Sequence, residues 1–301
     1  MRTRFAPSPT GDLHLGGAWT ALASWVVARR AGGANVLRVE DLDRPRLVSG
    51  SQARIEEDLR WLGLVWDEGP ILQSDRGPLY QDALSRLAAQ GLVYPCDCSR
   101  AELARVASAP HGAETTAYPG RCRDRDPRRA MKRPPALRAR VADETLAYED
   151  AAVGRVMQDL ARDVGDFVLR RGDGVFAYHL AVVVDDLAMG ITDVVRGADL
   201  ADSTPRQIWL ARALGASPPR YTHVPLVVGS DGARLEKRTR GATVRGVRQA
   251  GASAERVLGA MACGLGLAPT GAPASAAEIA SGCAGRPIAW RRDPWPIPTA
   301  W

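Results

Sequence analysis

Lysine is nearly absent from this chain. Lys132 and Lys237 are the only two among 40 basic residues, so arginine carries almost all the positive charge. An ammonium retained against that background marks its position as one to explain. Long apolar runs are missing too: none approaches the roughly 20 residues that cross a bilayer, which argues against a helical membrane span. Met1-Arg2-Thr3-Arg4 leads straight towards a strand rather than into the apolar core of a secretory leader, so the expected location is the cytoplasm. Cysteine is sparse and odd in number, at 5, which argues against a disulfide framework and for metal or free thiols. No internal repeat is present. What remains is a chain of 301 residues, 46% apolar, able to bury one large core or two modest ones. Its net charge of +6 suits a polyanionic partner without specifying one.

The first seventeen residues carry the densest pattern. Arg2 to Ala6 reads as a short strand, Pro7 and Pro9 forbid regular structure, and Gly11-Asp12 makes a turn. His14-Leu15-Gly16-Gly17 then opens a helix running to about Arg30. A strand feeding a glycine-marked helix N-terminus is where an α/β protein receives phosphate, because unpaired N–H groups and the helix dipole favour an anion there. His14 adds a side-chain donor; the competing reading is an ordinary βα turn whose histidine caps the helix.

The run Arg4-Phe5-Ala6-Pro7-Ser8-Pro9-Thr10-Gly11, followed by Leu13-His14-Leu15-Gly16, resembles the opening of the class I glutamyl-tRNA synthetases. His14 to Gly17 lies where that family carries its His-Ile-Gly-His signature, with Gly17 departing at the fourth position. The resemblance implies an ATP site at His14, Gly16 and Gly17. It also implies an α/β fold: a Rossmann-like parallel sheet split by a zinc-bearing insertion, with a short helical C-terminal region.

Along the chain, Asn35 to Val39 reads as a second strand ending in Glu40-Asp41-Leu42-Asp43. That acidic cluster is either a solvated turn or, by the resemblance, the place where Glu40 receives a substrate ammonium. Ser49 to Leu62 is a helix with Ser51 as its cap, Ile55, Leu59 and Leu62 on one face, and Gly63 as its stop. Trp61 and Trp66 read as packing residues. The helix from Pro78 to Gln90 completes a first half of a nucleotide-binding fold, residues 1–95. Residues 96–175, rich in Arg, Pro and Ala, read as an insertion, with a hairpin at Phe167 to Gly174. Strand-like apolar character returns at Phe176 to Asp186, opening a second half over residues 176–233. Ile191 to Val195 is expected as a strand delivering Arg196, Ser203 to Leu214 as a helix capped by Ser203, and Tyr221 to Gly229 as a strand. Residues 234–301 hold the lysine loop, one clear helix (Ala254 to Leu267), a Pro/Gly/Ala-rich linker and a tryptophan-bearing tail.

Three cysteines cluster. Cys96 and Cys98 are too close in sequence to pair with each other without strain, and Cys122 follows 24 residues on. A tetrahedral zinc wants four ligands, and His111 is the conventional candidate for the fourth. In the short bacterial paralogues of the family the site is Cys-x-Cys, then Tyr-x-x-x-Cys. Cys96, Cys98, Tyr118 and Cys122 match that spacing, so the resemblance implies one structural zinc per chain held by these four. Cys263 and Cys283 read as small apolar residues. Arg121 to Arg140 carries nine basic residues against two acidic ones. It is either a solvated loop or a patch that tracks an RNA backbone.

The remaining motifs concern the substrate. The resemblance assigns a glutamate pocket to Arg4, Ala6, Pro7, Ser8, Glu40, Tyr178 and Arg196, with Asp199 beside them. Glutamate brings two carboxylates and one ammonium; Arg4 and Arg196 supply guanidiniums, Glu40 the single opposing charge, and Tyr178 a hydroxyl donor. Glutamine would leave one arginine charge unpaired. His179, inside an apolar run, reads as a core histidine rather than a base. Arg234-Leu235-Glu236-Lys237-Arg238 sits where class I synthetases carry Lys-Met-Ser-Lys-Ser, so His14, Lys237 and Arg234 are the candidate catalytic residues. Lys132 has no comparable account.

By resemblance to the short paralogues, which have no anticodon-binding domain, the expected activity is ATP-dependent activation of glutamate to its adenylate without tRNA. Transfer to the queuosine base in the anticodon of tRNA(Asp) follows. The implied partners are ATP with Mg²⁺, L-glutamate and queuosine-bearing tRNA(Asp), met by a monomer with no membrane association. Two rivals are a minimal synthetase charging the 3′ end of tRNA(Glu), and a non-catalytic RNA-binding paralogue.

Overall fold

Strand β1 (Arg2–Phe5) leads through the Pro-Ser-Pro turn into helix α1 (Leu15–Arg29), and β2 (Ala34–Val39) returns parallel to β1 with Arg4 opposite Val36. This βαβ unit comes from a computed structural model that describes residues 1–99, 101–102, 118–230, 232 and 243–298. His111, Arg234, Glu236 and Lys237 lie outside the described residues. Helix α2 (Ser51–Trp61) follows, then β3 (Glu68–Leu72), parallel to β2, and α3 (Gly77–Ala89). Ser51 does not cap α2. Gly50, in the left-handed region at φ 70°, is the cap residue, and the Ser51 hydroxyl donates instead to the Gly11 carbonyl at 2.5 Å. That bond, with the Gly11 N–H to Ser51 Oγ at 3.1 Å, ties the start of α2 to the signature turn.

Next come β4 (Val93–Cys96), β5 (Ala136–Ala139), the β6 (Thr145–Asp150) and β7 (Gly154–Asp159) hairpin, and β8 (Val168–Arg170). β4, β5 and β8 form an antiparallel sheet of their own. The turn after β8 closes as expected, Arg170 bridging Phe176. The apolar stretch from Phe176 is not a strand: it forms helix α4 (Tyr178–Ala188). Its run is buried on nearly all sides, so apolar content alone could not tell a buried helix from a buried strand.

The second half continues with β9 (Asp193–Gly197), helix α5 (Thr204–Ala213), β10 (Arg220–Val224) and β11 (Val227–Val228). Ser203 stands at the N-cap of α5 but its side chain makes no cap bond. Pro225 interrupts the expected single strand. Beyond it lie α6 (Val244–Gln249), α7 (Ala254–Leu265), α8 (Ala276–Gly282) and β12 (Trp295–Pro296). The segment read as a linker thus holds helix α8, opened by a capping box between Ser275 and Glu278.

Sheet order explains where a ligand could sit. β3, β2 and β1 run side by side, as do β9, β10, β6 and β7. β9 begins beside the start of β1, the Thr192 N–H meeting the Arg2 carbonyl at 2.9 Å. Strand order therefore reverses between β1 and β9, and the carboxyl ends of strands at such a switch point open a crevice. Both faces of the sheet are covered. Leu37 and Val195 point into a core built from α1, α2, α7 and α8, while their neighbours Val36 and Val194 point into one built from α3, α4 and α5. Strand β6, inside the stretch read as an insertion, pairs parallel with β10 at Tyr221 and Asp150 and so extends the second half. Among the described residues no helix is long and apolar enough to cross a membrane.

Candidate active site

A cleft of about 1760 Å³ opens at the switch point. Arg4 and Ala6 reach it from β1 and its exit, Glu40 from the end of β2, and Arg196 from β9. Ser8, His14, Gly16 and Gly17 line the side formed by the signature turn and the N-terminus of α1. Tyr178, first residue of α4, completes the opposite wall with Asp199. Pro7 is the exception among the expected residues. It lines a small cavity on the other side with Leu37 and Ile55, and its carbonyl accepts the Glu40 N–H at 2.9 Å.

His14 makes no side-chain cap bond to α1, so the capping alternative does not describe it. Its backbone bridges Thr243, and the Val244 N–H meets the Leu13 carbonyl at 2.9 Å. The described chain that resumes after the lysine motif is therefore stitched to the His14 turn. A Cβ on Gly17 would lie 2.9 Å from a methyl of Leu13, so a larger fourth signature residue would need that side chain to shift. A Cβ on Gly16 would meet nothing within 4 Å, leaving the helix N-terminus open to the cleft.

Behind Arg4 and Glu40 lies a charge network that the sequence motifs did not reveal. Arg38, fully buried, donates to Asp186 at 2.6 Å and stands 3.5 Å from Glu40 and 3.6 Å from Asp185. Burial works against its charge, yet Asp186, Glu40 and Asp185 together raise its pKa. Asp186 also takes Arg4 at 3.2 Å, and Asp185 accepts from Gln73, Arg76 and Tyr80. For Asp186, burial is outweighed by Arg4 and Arg38, so its carboxyl is held below the usual range. Glu40 goes the other way: burial raises its pKa more than Arg38 and Arg4 lower it. A cation brought to Glu40 would favour its ionised form.

Arg196 is 4% exposed, and its guanidinium meets only neutral acceptors. Nε donates to His223 Nε2 at 3.1 Å, Nη1 to Gln207 at 2.7 Å, and Nη2 to Thr204 at 2.7 Å and to the Leu200 carbonyl at 3.3 Å. No carboxylate of the described residues lies within 4.0 Å of it. A buried cation without a counter-ion, on a cleft wall, is a site for an anion. His179 also lines the cleft. Its Nδ1 has no hydrogen-bond partner among the described residues, and burial, with Arg206 and Arg196, pushes its pKa down to about 3.

A family profile described as tRNA synthetases class I (E and Q), catalytic domain, matches residues 1–274. The chain belongs to this family. Among curated relatives of this synthetase, the glutamyl-Q tRNA(Asp) synthetase of Symbiobacterium thermophilum is 50% identical over 291 residues, covering 92% of this chain and 90% of the relative. The protein of the same name from Geobacter sulfurreducens is 46% identical over 301 residues, covering 99% and 93%. A glutamate tRNA ligase from Elizabethkingia meningosepticum, solved in complex with its amino acid, superposes with a TM-score of 0.81 at 28% identity. That likeness covers 93% of the synthetase chain described here but only 64% of the solved one.

At one end of the synthetase cleft stands the cysteine cluster. Sγ atoms of Cys96, Cys98 and Cys122 lie within 4.8 Å of one another. The Tyr118 hydroxyl is 3.4 Å from Cys96 Sγ and 3.8 Å from Cys98 Sγ. A tetrahedral zinc with Zn–S of about 2.3 Å places its sulfurs about 3.8 Å apart, so this donor set fits such an ion. The basic run wraps the cluster rather than standing free. Arg129 grips Asp97 at 2.6 Å, Arg123 pairs with Asp166, and Arg138 lies 3.8 Å over the Tyr118 ring. Arg128, Lys132, Arg133 and Arg140 also meet carboxylates. The basic run is thus not a row of unpaired charges: most of its basic side chains are paired within the insertion, several of them at the surface.

Proposed function

We propose that this synthetase activates glutamate with ATP and transfers it to the queuosine base in the anticodon of tRNA(Asp). One observation carries the amino-acid assignment: across a single cleft, Arg196 is a buried cation held by neutral partners, while Glu40 is a partly buried carboxylate whose pKa burial raises despite Arg38 and Arg4. A ligand with an ammonium and an additional carboxylate meets both needs at once. The names of the curated relatives support the acceptor.

In the first step the substrate α-carboxylate attacks the α-phosphorus of ATP. An acyl–phosphate bond forms, the bond to pyrophosphate breaks, and charge grows on the phosphoryl oxygens. His14 and the N–H groups opening α1 stabilise that charge, while Arg234 and Lys237 act on the leaving pyrophosphate. Arg4, Glu40, Tyr178 and Arg196 bind and orient glutamate. In the second step a hydroxyl of the queuosine base attacks the acyl carbon, forming an ester and releasing AMP. ATP arrives with Mg²⁺. Cys96, Cys98, Tyr118 and Cys122 hold a zinc that closes the insertion; no step passes through it.

The test is to incubate the protein with labelled glutamate, ATP and bulk tRNA and map the label. Alkali-labile label on the anticodon base of tRNA(Asp) is expected. Label on a terminal ribose would select 3′-end charging instead, and adenylate formation without tRNA separates either enzyme from a non-catalytic RNA binder.

A further inference from the structure

Arg196 is held by a device made of residues to which no motif points. His223, on β10, accepts the Arg196 Nε–H at its own Nε2, 3.1 Å away. An imidazole nitrogen that accepts carries no proton, so the ring proton is on Nδ1, where it donates to Asp150 Oδ2 at 2.6 Å. Both side chains are fully buried. The other oxygen of Asp150 takes the N–H groups of Ala152 at 2.9 Å, Val153 at 3.1 Å and His223 at 3.2 Å, which fixes the carboxylate's orientation. Thr204 Oγ1 accepts from Arg196 at 2.7 Å and lies 3.1 Å from His223 Nε2. Tyr221 stacks on the imidazole at 6.1 Å and 2°. Burial depresses the imidazole pKa, Arg196 adding in the same sense against Asp150.

We propose that Asp150 and His223 are a positioning pair that aims the Arg196 guanidinium into the cleft while leaving its charge uncancelled, and so set the affinity for the substrate carboxylate. The physical reason lies in the spacing of the charges. A carboxylate placed directly on Arg196 would neutralise it and compete with the ligand. A neutral imidazole between the two passes on orientation and withholds the negative charge. The inference rests on the glutamate reading of this cleft.

Asp150→Asn tests it with little change of shape. Oxygen of the new amide must face the three backbone N–H groups, so its NH₂ faces His223 Nδ1. The ring proton then moves to Nε2, where it opposes the Arg196 N–H, a wrong-tautomer defect of the kind that disables a catalytic histidine. In ATP–pyrophosphate exchange, the KM for glutamate is expected to rise at least about tenfold, with the KM for ATP within about twofold of wild type. A folded Asp150→Asn protein with an unchanged glutamate KM would overturn the inference. If that variant does not fold, His223→Gln and His223→Leu decide. Glutamine can present an oxygen to Arg196 and should retain the wild-type KM, whereas leucine should raise it; equal values for the two would overturn the pairing. A wild-type protein with no glutamate-dependent exchange would overturn the proposed function and this inference with it.

Discussion

Arg196 and Glu40 face one cleft with opposite electrostatic needs, and the residues behind them set those needs. Arg38, Asp186, Asp150 and His223 belong to no signature, because each acts through a neighbour and not on the ligand. His179 shows how such burial reaches stability. Its imidazole is held down to about 3 by burial, with Arg206 and Arg196 adding to the effect. The folded protein keeps it neutral, whereas the unfolded chain binds a proton below about pH 6.5. The unfolded state then carries more protons, so this contribution is complete above about pH 6.5 and falls as pH drops towards 3. Urea unfolding at pH 5 should give up to about 2 kcal/mol less stability than at pH 7, with His223 adding in the same direction. His179→Phe keeps a ring against Phe167 and should flatten that slope; an unaltered slope would exclude His179 as its source.

Among the elements, the C-terminal strand behaves least as composition suggested. β12 pairs parallel with β11, the strand that leads towards the lysine motif, and Trp295 stacks on Trp19 at 4.7 Å. Trp19 belongs to α1 and lines the cleft, so the tail backs the α1 side of the site. Gly264 on α7 is what lets the two rings sit there: a Cβ would fall 2.5 Å from Trp295 Cδ1 and 2.7 Å from Trp19. Glycine to alanine inside a helix normally stabilises by about 1 kcal/mol. Gly264→Ala should instead destabilise by about 1–3 kcal/mol through overpacking, read from urea midpoints at constant m. A stabilised variant would show that the tail does not occupy this position in solution.

At the scale of the whole molecule, the sheet reverses its order once, and Arg4 and Arg196, both lining the cleft, flank the reversal. The cysteine cluster lies at the far end of the same cleft, where the antiparallel β4–β5–β8 sheet holds Cys96. Purified protein should contain about one zinc per chain by elemental analysis. A chelator, or Cys122→Ser, should lower the melting temperature. Glutamate-dependent pyrophosphate exchange below that temperature should persist, because the proposed chemistry is held by β1, β2, β9 and α1. Loss of exchange in the chelated but folded protein would give the metal a part in catalysis.

Local order along the chain was enough to specify the βα turn at His14, the strand bearing Arg4, the spacing of Cys96, Cys98, Tyr118 and Cys122, and the resemblance these carry. Each depends on residues close in sequence, where backbone geometry and turn chemistry act directly. The capping box of α8 was equally local, and Ser275 with Glu278 could have revealed it. The helical state of Phe176 to Asp186 was different, since a run buried on nearly all sides has little polar face to betray its period. Only the packed molecule could bring Asp150 beside His223, 73 residues apart, or Arg38 beside Asp186, 148 apart. Such pairs form because burial removes water from a charge and leaves protein groups distant in sequence to take its place, a condition that exists only after the layers close.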